Sequence, residues 1–464
     1  MAESAAGISA DKLQLFEKEP VGKAVVKLSV PTVCSNLVMV LYSLADTFFV
    51  GLINSPVQSA AVAIAAPVML AFNAINNLFG VGGSSMMSRA LGQKDIKTVK
   101  EASSFSFYGS LFCSLVFSIL AGIFLVPLCQ AFGASQETLS ATTEYMFYAI
   151  VLNAPFSILN VVLSYLVRAE GSTLQAAIGT MSGALLNIVL DPLFILVFQM
   201  QAKGAAIATL IANIFAVGYF LVYLFLKRKT TSISISPKNF TMRRPVSMGV
   251  FTVGVPAMIQ NLLNVFSQMI MNNIAAFYGT EAVAATGIAY RASMVMMYVS
   301  QGIGQGVMPL VGYTYAAGMI KRMKETIFFT LKLSLTILLT MTVLYELFPQ
   351  AIMRAFIGTE GVIQIGSALL RGMALAMPFL AIDFLTVGVF QATGKGGYSL
   401  ILALLRKVAF EIPSMLLFNK LGGLTLSIGW SQVFAEVLTA AIGFFLLYRM
   451  IHRLSDHEES VPRV

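Results

Sequence analysis

The stretch "LSVPTVCSNLVMVLYSL", residues 28–44, and the stretch "VGVPAMIQNLLNVFSQM", residues 253–269, decide the fold together. Pro31 falls opposite Pro256 and Asn36 opposite Asn261, both at an offset of 225 residues. The register persists downstream. Gly82 and Ser88 of "VGGSSMMSRALG" fall opposite Gly306 and Gly312 of "QGVMPLVGYTYA", and "RAEG" at 168–171 falls opposite "QATG" at 391–394. Identity between the copies is modest, but a near-constant offset is not what chance matching of apolar segments produces. The chain reads as an internal duplication.

The 464 residues are 57% hydrophobic and 11% charged, against about 25% charged in a soluble domain. An apolar run of about 20 residues spans a bilayer once. Apolar runs between polar breaks give twelve predicted spans: 30–53, 61–88, 102–130, 143–167, 172–199 and 204–226, then 248–278, 283–312, 325–350, 367–392, 397–418 and 424–448. The expected fold class is an all-α polytopic membrane protein of two six-helix lobes. The organisation is an N-terminal segment (1–29), an N-lobe (30–226), a polar linker (227–247), a C-lobe (248–448) and a tail (449–464). Six spans per half is an even number, so both halves enter the bilayer from the same side. The pseudo-two-fold axis then runs along the membrane normal, as in transporters built from parallel repeats.

Charge placement orients the chain. With the N-terminus in the cytoplasm, most of the 30 lysines and arginines fall inside, among them Lys12, Lys18, Lys23, Lys27, Arg89, Lys94, Lys97 and Lys100. The linker adds Lys227, Arg228, Lys229, Lys238, Arg243 and Arg244, whereas outside loops hold only Lys203, Arg354 and Lys420. That is the positive-inside bias. It accounts for the net charge of +9 without a nucleic-acid partner; the partner expected is the lipid bilayer, and the chain is expected to act as a monomer with both termini cytoplasmic. The first twenty residues are polar, so no cleavable leader is expected. Cys34, Cys113 and Cys129 form no CxxC and read as packing residues. "GVGGSS" at 80–85 lacks the GK[ST] of a phosphate-binding loop. No ATPase motif is evident, so neither an enzyme nor a cofactor is expected.

One stretch inside the fifth span breaks the apolar pattern. "LNIVLDPLFILVF", 186–198, places Asp191 and Pro192 in the middle of a hydrocarbon run. A carboxylate at the centre of a membrane helix costs at least about 2.5–3.5 kcal/mol and marks function by default. Proline removes one backbone donor and pushes aside the carbonyl four residues back. Asn187 lies one turn before Asp191 on the same face. Carboxylate, amide and a loosened carbonyl together suit a hard cation or a proton. Asp46 of the first span follows Tyr42 by one turn, and Thr209 of the sixth offers a hydroxyl.

With "LADTFFVG" in the first span, "LFGVGGSSMMSRALGQKD" at the end of the second and "LNIVLDPLFI" in the fifth, the chain resembles the MATE family of multidrug and toxic compound extrusion transporters over roughly residues 16–448. The resemblance implies a bacterial cytoplasmic (inner) membrane protein of twelve helices in two lobes, an outward-open V shape, and antiport of cationic amphiphilic compounds against protons or sodium ions. It implies an N-lobe cation site made of an aspartate in the first helix, an N-x-x-x-D pair in the fifth and a threonine eighteen residues further. Asp46, Asn187, Asp191 and Thr209 match that pattern, with sodium a possible metal there.

The second half departs from it. Asp46 aligns with Met271 and Asp191 with about Ser414, so the acids were not duplicated. Asp383 resembles an acid of the tenth helix that other family branches use, but the seventh helix, where they place a glutamate, has Gln260, Asn261, Asn264 and Gln268. With Asn36, Tyr42, Met294 and Met297, the residues Gln260, Asn261, Asn264 and Asp383 are the candidates for lining a substrate cleft; flexible methionines suit promiscuous sites. Glu411, four residues after Lys407, reads as its ion-pair partner, and Glu436 and Arg291 are left without an assigned role. The alternative function is a flippase for lipid-linked precursors of the related polysaccharide-export type, which would want a cationic cleft. The orientation is testable: in a cysteine-free background, an impermeant thiol reagent added outside should label Ser135→Cys and not Ser234→Cys. The reverse pattern refutes the assignment.

Overall fold

The computed structural model describes residues 10–460, and every regular element it assigns there is helical. Among the described residues, nine helices are long and apolar enough to cross a membrane unaided. They are Val21–Gly51, Pro56–Gly92, Ile96–Ile123, Thr173–Val197, Gln201–Leu226, Arg244–Phe277, Thr280–Ala316, Ile320–Leu347 and Glu360–Ala392. A tenth is the pair Leu139–Leu152 and Ala154–Ala169, bent by 40° at Asn153. Pro155, the second residue of the second member, cannot supply the hydrogen bond that would continue the first. The predicted eleventh span is a run of three helical pieces, Gly396–Leu404, Leu405–Glu411 and Ile412–Thr425, whose middle piece is a π-helix carrying Arg406, Lys407 and Glu411. The twelfth is Ser431–Ser460. Twelve helical segments thus follow the order and the 6+6 division of the sequence.

The duplication is visible in the backbone as well. Asn54 and Gly279, which follow the first and seventh spans, both have positive φ (54° and 99°). So do Lys94 and Gly318 after the second and eighth, Gly171 and Gly394 after the fourth and tenth, and Gln199 and Gly423 near the ends of the fifth and eleventh. Each pair keeps the offset of the sequence repeat to within two residues. A left-handed residue ends a helix by turning its last carbonyls onto the following N–H groups. Glycine adopts it without the steric cost that Asn54, Lys94 and Gln199 bear.

Contacts divide the chain into two compact units. One comprises residues 1–18 and 34–258, the other 19–33 and 259–464. The divisions fall inside the first and the seventh spans. In the first unit, the second span lies against the early part of the seventh. A Cβ on Gly82 would strike the Val250 carbonyl and lie 3.1 Å from the Gly254 Cα, and a Cβ on Gly254 would strike the Leu78 carbonyl. In the second unit, the eighth span lies against the early part of the first. A Cβ on Gly306 would sit 2.6 Å from the Leu28 carbonyl oxygen and 2.7 Å from the Ser29 Cα, and one on Gly302 2.8 Å from the Val33 Cα. Gly82 is the repeat partner of Gly306, and Gly254 that of Ser29. The same contact is made twice. Small residues permit it by letting backbones meet, the usual route to tight packing where lipid removes the hydrophobic drive.

The segment before the first span is anchored within the first unit. Glu170 is fully buried at the end of the fourth span. It takes an ion pair from Lys12 at 2.8 Å, a hydrogen bond from the Thr231 hydroxyl at 2.9 Å and one from the Ser232 N–H at 3.1 Å. Phe16 packs beside it on Gly171, where a Cβ would come within 2.8 Å of the ring. One carboxylate thus ties the N-terminal segment and the linker to a single turn.

The glycine contacts yield a stability prediction. Gly306→Leu and Gly82→Leu should each lower the unfolding midpoint, since overpacking costs about 1–3 kcal/mol or more where backbone must move. Gly218, with open space around it, should accept alanine with little change. A thermal melt of the purified protein checks this; an unaltered midpoint in Gly306→Leu refutes the close contact.

Candidate functional site

The first unit holds the intramembrane acids that carry no counter-charge. On the fifth span Gly179 faces the Phe220 ring of the sixth and Gly183 its alanines; a Cβ on Gly183 would stand 3.0 Å from the Ala212 carbonyl and 3.0 Å from the Ala216 Cβ. This approach, one turn from Asn187, lets short side chains meet across the pair. Asn187 is 1% exposed and Asp191 fully buried. With its amide turned so that nitrogen faces the carboxylate, Asn187 Nδ2 donates to Asp191 Oδ2 at 2.8 Å. Its oxygen then accepts from the Thr209 hydroxyl at 3.2 Å and the Thr209 N–H at 3.0 Å. The opposite orientation would set the amide oxygen against a carboxylate oxygen. Three of the four residues picked for a cation or proton site therefore touch one another.

Asp46, the fourth, is half-buried on the first span. It lies within electrostatic reach of Asp191. Tyr42 hydrogen-bonds to Thr209 and lies near both aspartates. Pro192 explains the local backbone. It has no N–H to give the carbonyl of Ile188, and the helix passes at once into a π-helical turn, Leu193–Val197. Such turns are frequent at functional sites.

Two features were not evident from the sequence. Tyr145 of the fourth span is 7% exposed and sits within reach of Asp46, Asp191 and Tyr42. Behind Thr209 runs a chain of amides: Asn160 Nδ2 donates to Asn213 Oδ1 at 3.0 Å, and Asn213 Nδ2 donates to Asn153 Oδ1 at 3.0 Å and to the Thr209 carbonyl at 3.1 Å. Asn213 lies four residues after Thr209, so the spacing was there to be read; its partners on the fourth span were not. Among the described residues, neither Asp46 nor Asp191 has a lysine, arginine or histidine at ion-pair distance. No three of His, Cys, Asp and Glu gather there at metal-holding spacing. The donors on offer are carboxylate, amide, hydroxyl and phenol oxygens, a hard set that fits a proton or a sodium ion.

The second unit arranges its acids differently. Asp383 is 1% exposed and accepts from Arg406 Nη1 at 2.7 Å. The same nitrogen lies 3.8 Å from Glu436, itself 1% exposed, and Arg406 Nη2 donates to Asn264 Oδ1 at 3.0 Å. Lys407 Nζ pairs with both oxygens of Glu411 at 2.7 and 2.6 Å, and the Ser267 hydroxyl donates to the same carboxylate at 2.5 Å. Asp383 Oδ1, Glu436 Oε2 and Arg406 Nε are buried with no hydrogen-bond partner. Three acids thus face two fixed cations. Sequence reading noted Lys407 with Glu411 but gave Arg406 no role; it lies 23 residues from Asp383 and 30 from Glu436, beyond any local spacing rule.

The cleft candidates divide by surroundings. Gln260 accepts from Gln391 at 3.4 Å, Asn264 is taken by Arg406, and Asn261 Oδ1 is buried without a partner. Met297 packs on the apolar cluster of Met296, Leu338 and Met377. Met294 and Asn36 are half-buried.

Known proteins resemble this chain in sequence and fold. The MatE family model matches twice, over residues 31–193 and 256–417, beginning at the two prolines that open the repeat. The multidrug export protein MepA of Staphylococcus aureus (strain MRSA252) is 31% identical over 445 residues, 96% of this chain and 97% of that protein. MepA of Staphylococcus haemolyticus (strain JCSC1435) is 30% identical over 455 residues, 98% of this chain and 99% of that protein. A crystal structure of MATE in complex with MaD3S superposes with a TM-score of 0.91 at 25% identity, covering 97% of this chain and 100% of that one.

The buried pair in the second unit generates a prediction. Removing one partner of such a pair costs about 3–5 kcal/mol, because a charge is left unmatched. Arg406→Met should therefore lower the melting point strongly, and Arg406→Met with Asp383→Leu should recover part of the loss. If the double variant melts no higher than the single one, Arg406 is not the counter-charge of Asp383.

Proposed function

This chain belongs to the MatE family, and from that premise we propose that it is a secondary active multidrug efflux transporter in the bacterial cytoplasmic membrane. It exchanges cationic amphiphilic compounds for protons or sodium ions by alternating access, and works as a monomer with both termini in the cytoplasm. The observation that carries this reading is the asymmetry of counter-charge. Asp383, Glu436 and Glu411 of the second unit share fixed cations, whereas Asp46 and Asp191 have only neutral oxygen and nitrogen partners. Two carboxylates near one another in low dielectric resist ionising together. Only an exchangeable cation can relieve them, so their charge state is free to change during a cycle.

Asp191 serves as the ion-accepting group and Asp46 as the neighbour that raises the cost of leaving it empty. Asn187 holds the Asp191 carboxylate in place. Its amide also links that carboxylate to Thr209, so a change of charge at Asp191 alters the contact between the fifth and sixth spans. The cargo is cationic because the uncompensated acids of the first unit, with the Tyr42 ring and the Asn36 amide of that same unit, suit a positive charge; Gln260, Asn261, Met294 and Met297 are the amide and thioether groups of the second unit that would contact it. Asp383, already matched by Arg406, adjusts which compounds are taken without carrying the ion.

Coupling follows from competition. Protonating or metallating the acids removes the negative charge that attracts the cargo, and the cargo leaves. Linkage requires the cargo to weaken ion binding by the same factor. The sign is fixed: cargo affinity falls as pH drops or sodium rises, since each adds positive charge at the same acids.

The test uses purified protein in vesicles under a proton or a sodium gradient, each alone. Efflux of a cationic dye should follow at least one gradient. Asp191→Asn and Asp46→Asn should abolish gradient-driven efflux at unchanged expression and melting point, and Asp46→Asn should flatten the pH dependence of equilibrium dye binding. Asp383→Asn should alter the range of compounds while some coupled transport survives. Normal efflux by Asp191→Asn protein overturns its assignment.

A further inference from the structure

At the end of the twelfth span, three cations surround a cavity of about 370 Å³, within the usual 300–1,000 Å³ of ligand sites. Lys395 comes from the short connection between the tenth and eleventh spans, and Arg449 and Arg453 from the last helix. The arginines are four residues apart and project from one helix face. The apolar wall includes Phe390, Tyr398 and Met450. The Phe390 and Tyr398 rings stack at 5.1 Å, which fixes that wall. Among the described residues, none of the three cations has an acid at ion-pair distance.

The cations are also close enough to oppose one another. Burial first, and then the positive charge of Arg453, hold the Lys395 ammonium below the ordinary lysine range. Two or three uncompensated cations held around one cavity are costly unless an anion enters. The position says which kind. The same helix exposes Phe444, Phe445 and Tyr448, 42–61% accessible, just before Arg449. The cavity therefore sits where the lipid-facing surface of a span gives way to its polar end. Basic cavities at that level hold anionic headgroups, with apolar flanks left for the acyl chains.

We propose that Lys395, Arg449 and Arg453 form a binding site for the phosphate of an anionic phospholipid, with the stacked Phe390 and Tyr398 flanking its glycerol and upper acyl chains. Positive-inside placement alone would scatter these residues over the loop and tail. It gives no reason for them to converge on one cavity with an aromatic wall. Each basic residue near an anionic headgroup contributes roughly a fivefold factor in affinity. A single neutral substitution should then weaken binding about fivefold, and the triple substitution about a hundredfold.

The experiment counts lipids retained by the purified full-length protein in native mass spectrometry. It is titrated in turn with short-chain phosphatidylglycerol, short-chain phosphatidylcholine and inorganic phosphate. Phosphatidylglycerol should bind when added at near-stoichiometric ratio to the protein, and phosphatidylcholine should not. Inorganic phosphate should fail to displace the lipid. Lys395→Gln with Arg449→Gln and Arg453→Gln should lose that binding, while Lys395→Arg should keep it; if the triple variant does not fold, each single glutamine variant should show the fivefold loss. Equal retention of both lipids, displacement by inorganic phosphate, or unchanged phosphatidylglycerol binding in the variants overturns the proposal. So does phosphatidylglycerol binding that is seen only after Asp456, Glu458 and Glu459 are neutralised, which would make the chain's own tail the occupant.

Discussion

A carboxylate inside a bilayer-spanning bundle must be matched by something, and the choice of match governs what each half of this protein can do. Fixed cations match the acids of the second unit: Arg406 with Asp383 at 2.7 Å, Lys407 with Glu411 at 2.6 Å. Such a pair is costly to desolvate and costly to break, so its charge state is stationary. Asp191 is matched by an amide held by a hydroxyl, neither of which carries charge. The free energy of that arrangement depends on whether a proton or an ion is present.

Backbone geometry brings these groups within reach. In the first unit, Gly183 against Ala212 and Ala216 draws the fifth and sixth spans together, and the amide of Asn187 can then bridge to Thr209. Pro192 lets the helix re-form as a π turn beyond Asp191. In the second unit a π turn, Leu405–Glu411, does comparable work. It carries Arg406, Lys407 and Glu411 in one stretch, and the wider turn sends neighbouring residues in directions that an α-helical wheel would not predict. Each polar centre therefore adjoins or includes a π-helical turn.

Much of the fold was legible because its signals are local or periodic. Apolar length gave the spans, and the offset of 225 between Pro31 and Pro256 gave the duplication. The pair Asn187 and Asp191 was legible because one helical turn places both on one face. What was not legible depends on contacts between segments far apart in the chain. Nothing near Arg406 in sequence announces Asp383 and Glu436. Nothing near Tyr145 announces Asp46. The division of the first and seventh spans between units, at residues 33 and 258, is likewise invisible to hydropathy, because an apolar helix reads the same whichever neighbours it has.

The duplication copied a frame and left the chemistry to diverge. Gly82 and Gly306 make equivalent contacts, and the left-handed corners at Asn54 and Gly279, Lys94 and Gly318, and Gly171 and Gly394 recur in register. These positions are constrained by backbone approach and by φ, and a change at one disturbs a whole helix. The polar positions are not held in that way. Met271, the counterpart of Asp46, is 8% exposed inside an apolar cluster with Ile274, Met373 and Met415. A carboxylate there would enter a mainly apolar cluster, against which Tyr290 and Tyr345 also pack. Ser414, the counterpart of Asp191, spends its hydroxyl on the Glu411 carbonyl within its own helix at 3.0 Å. Acids restored at Met271 and Ser414 would therefore enter surroundings unlike those of Asp46 and Asp191. They would add two buried charges to a unit whose Arg406 is already engaged by Asp383 and Glu436. The two halves thus share a backbone frame and differ in how their buried acids are matched.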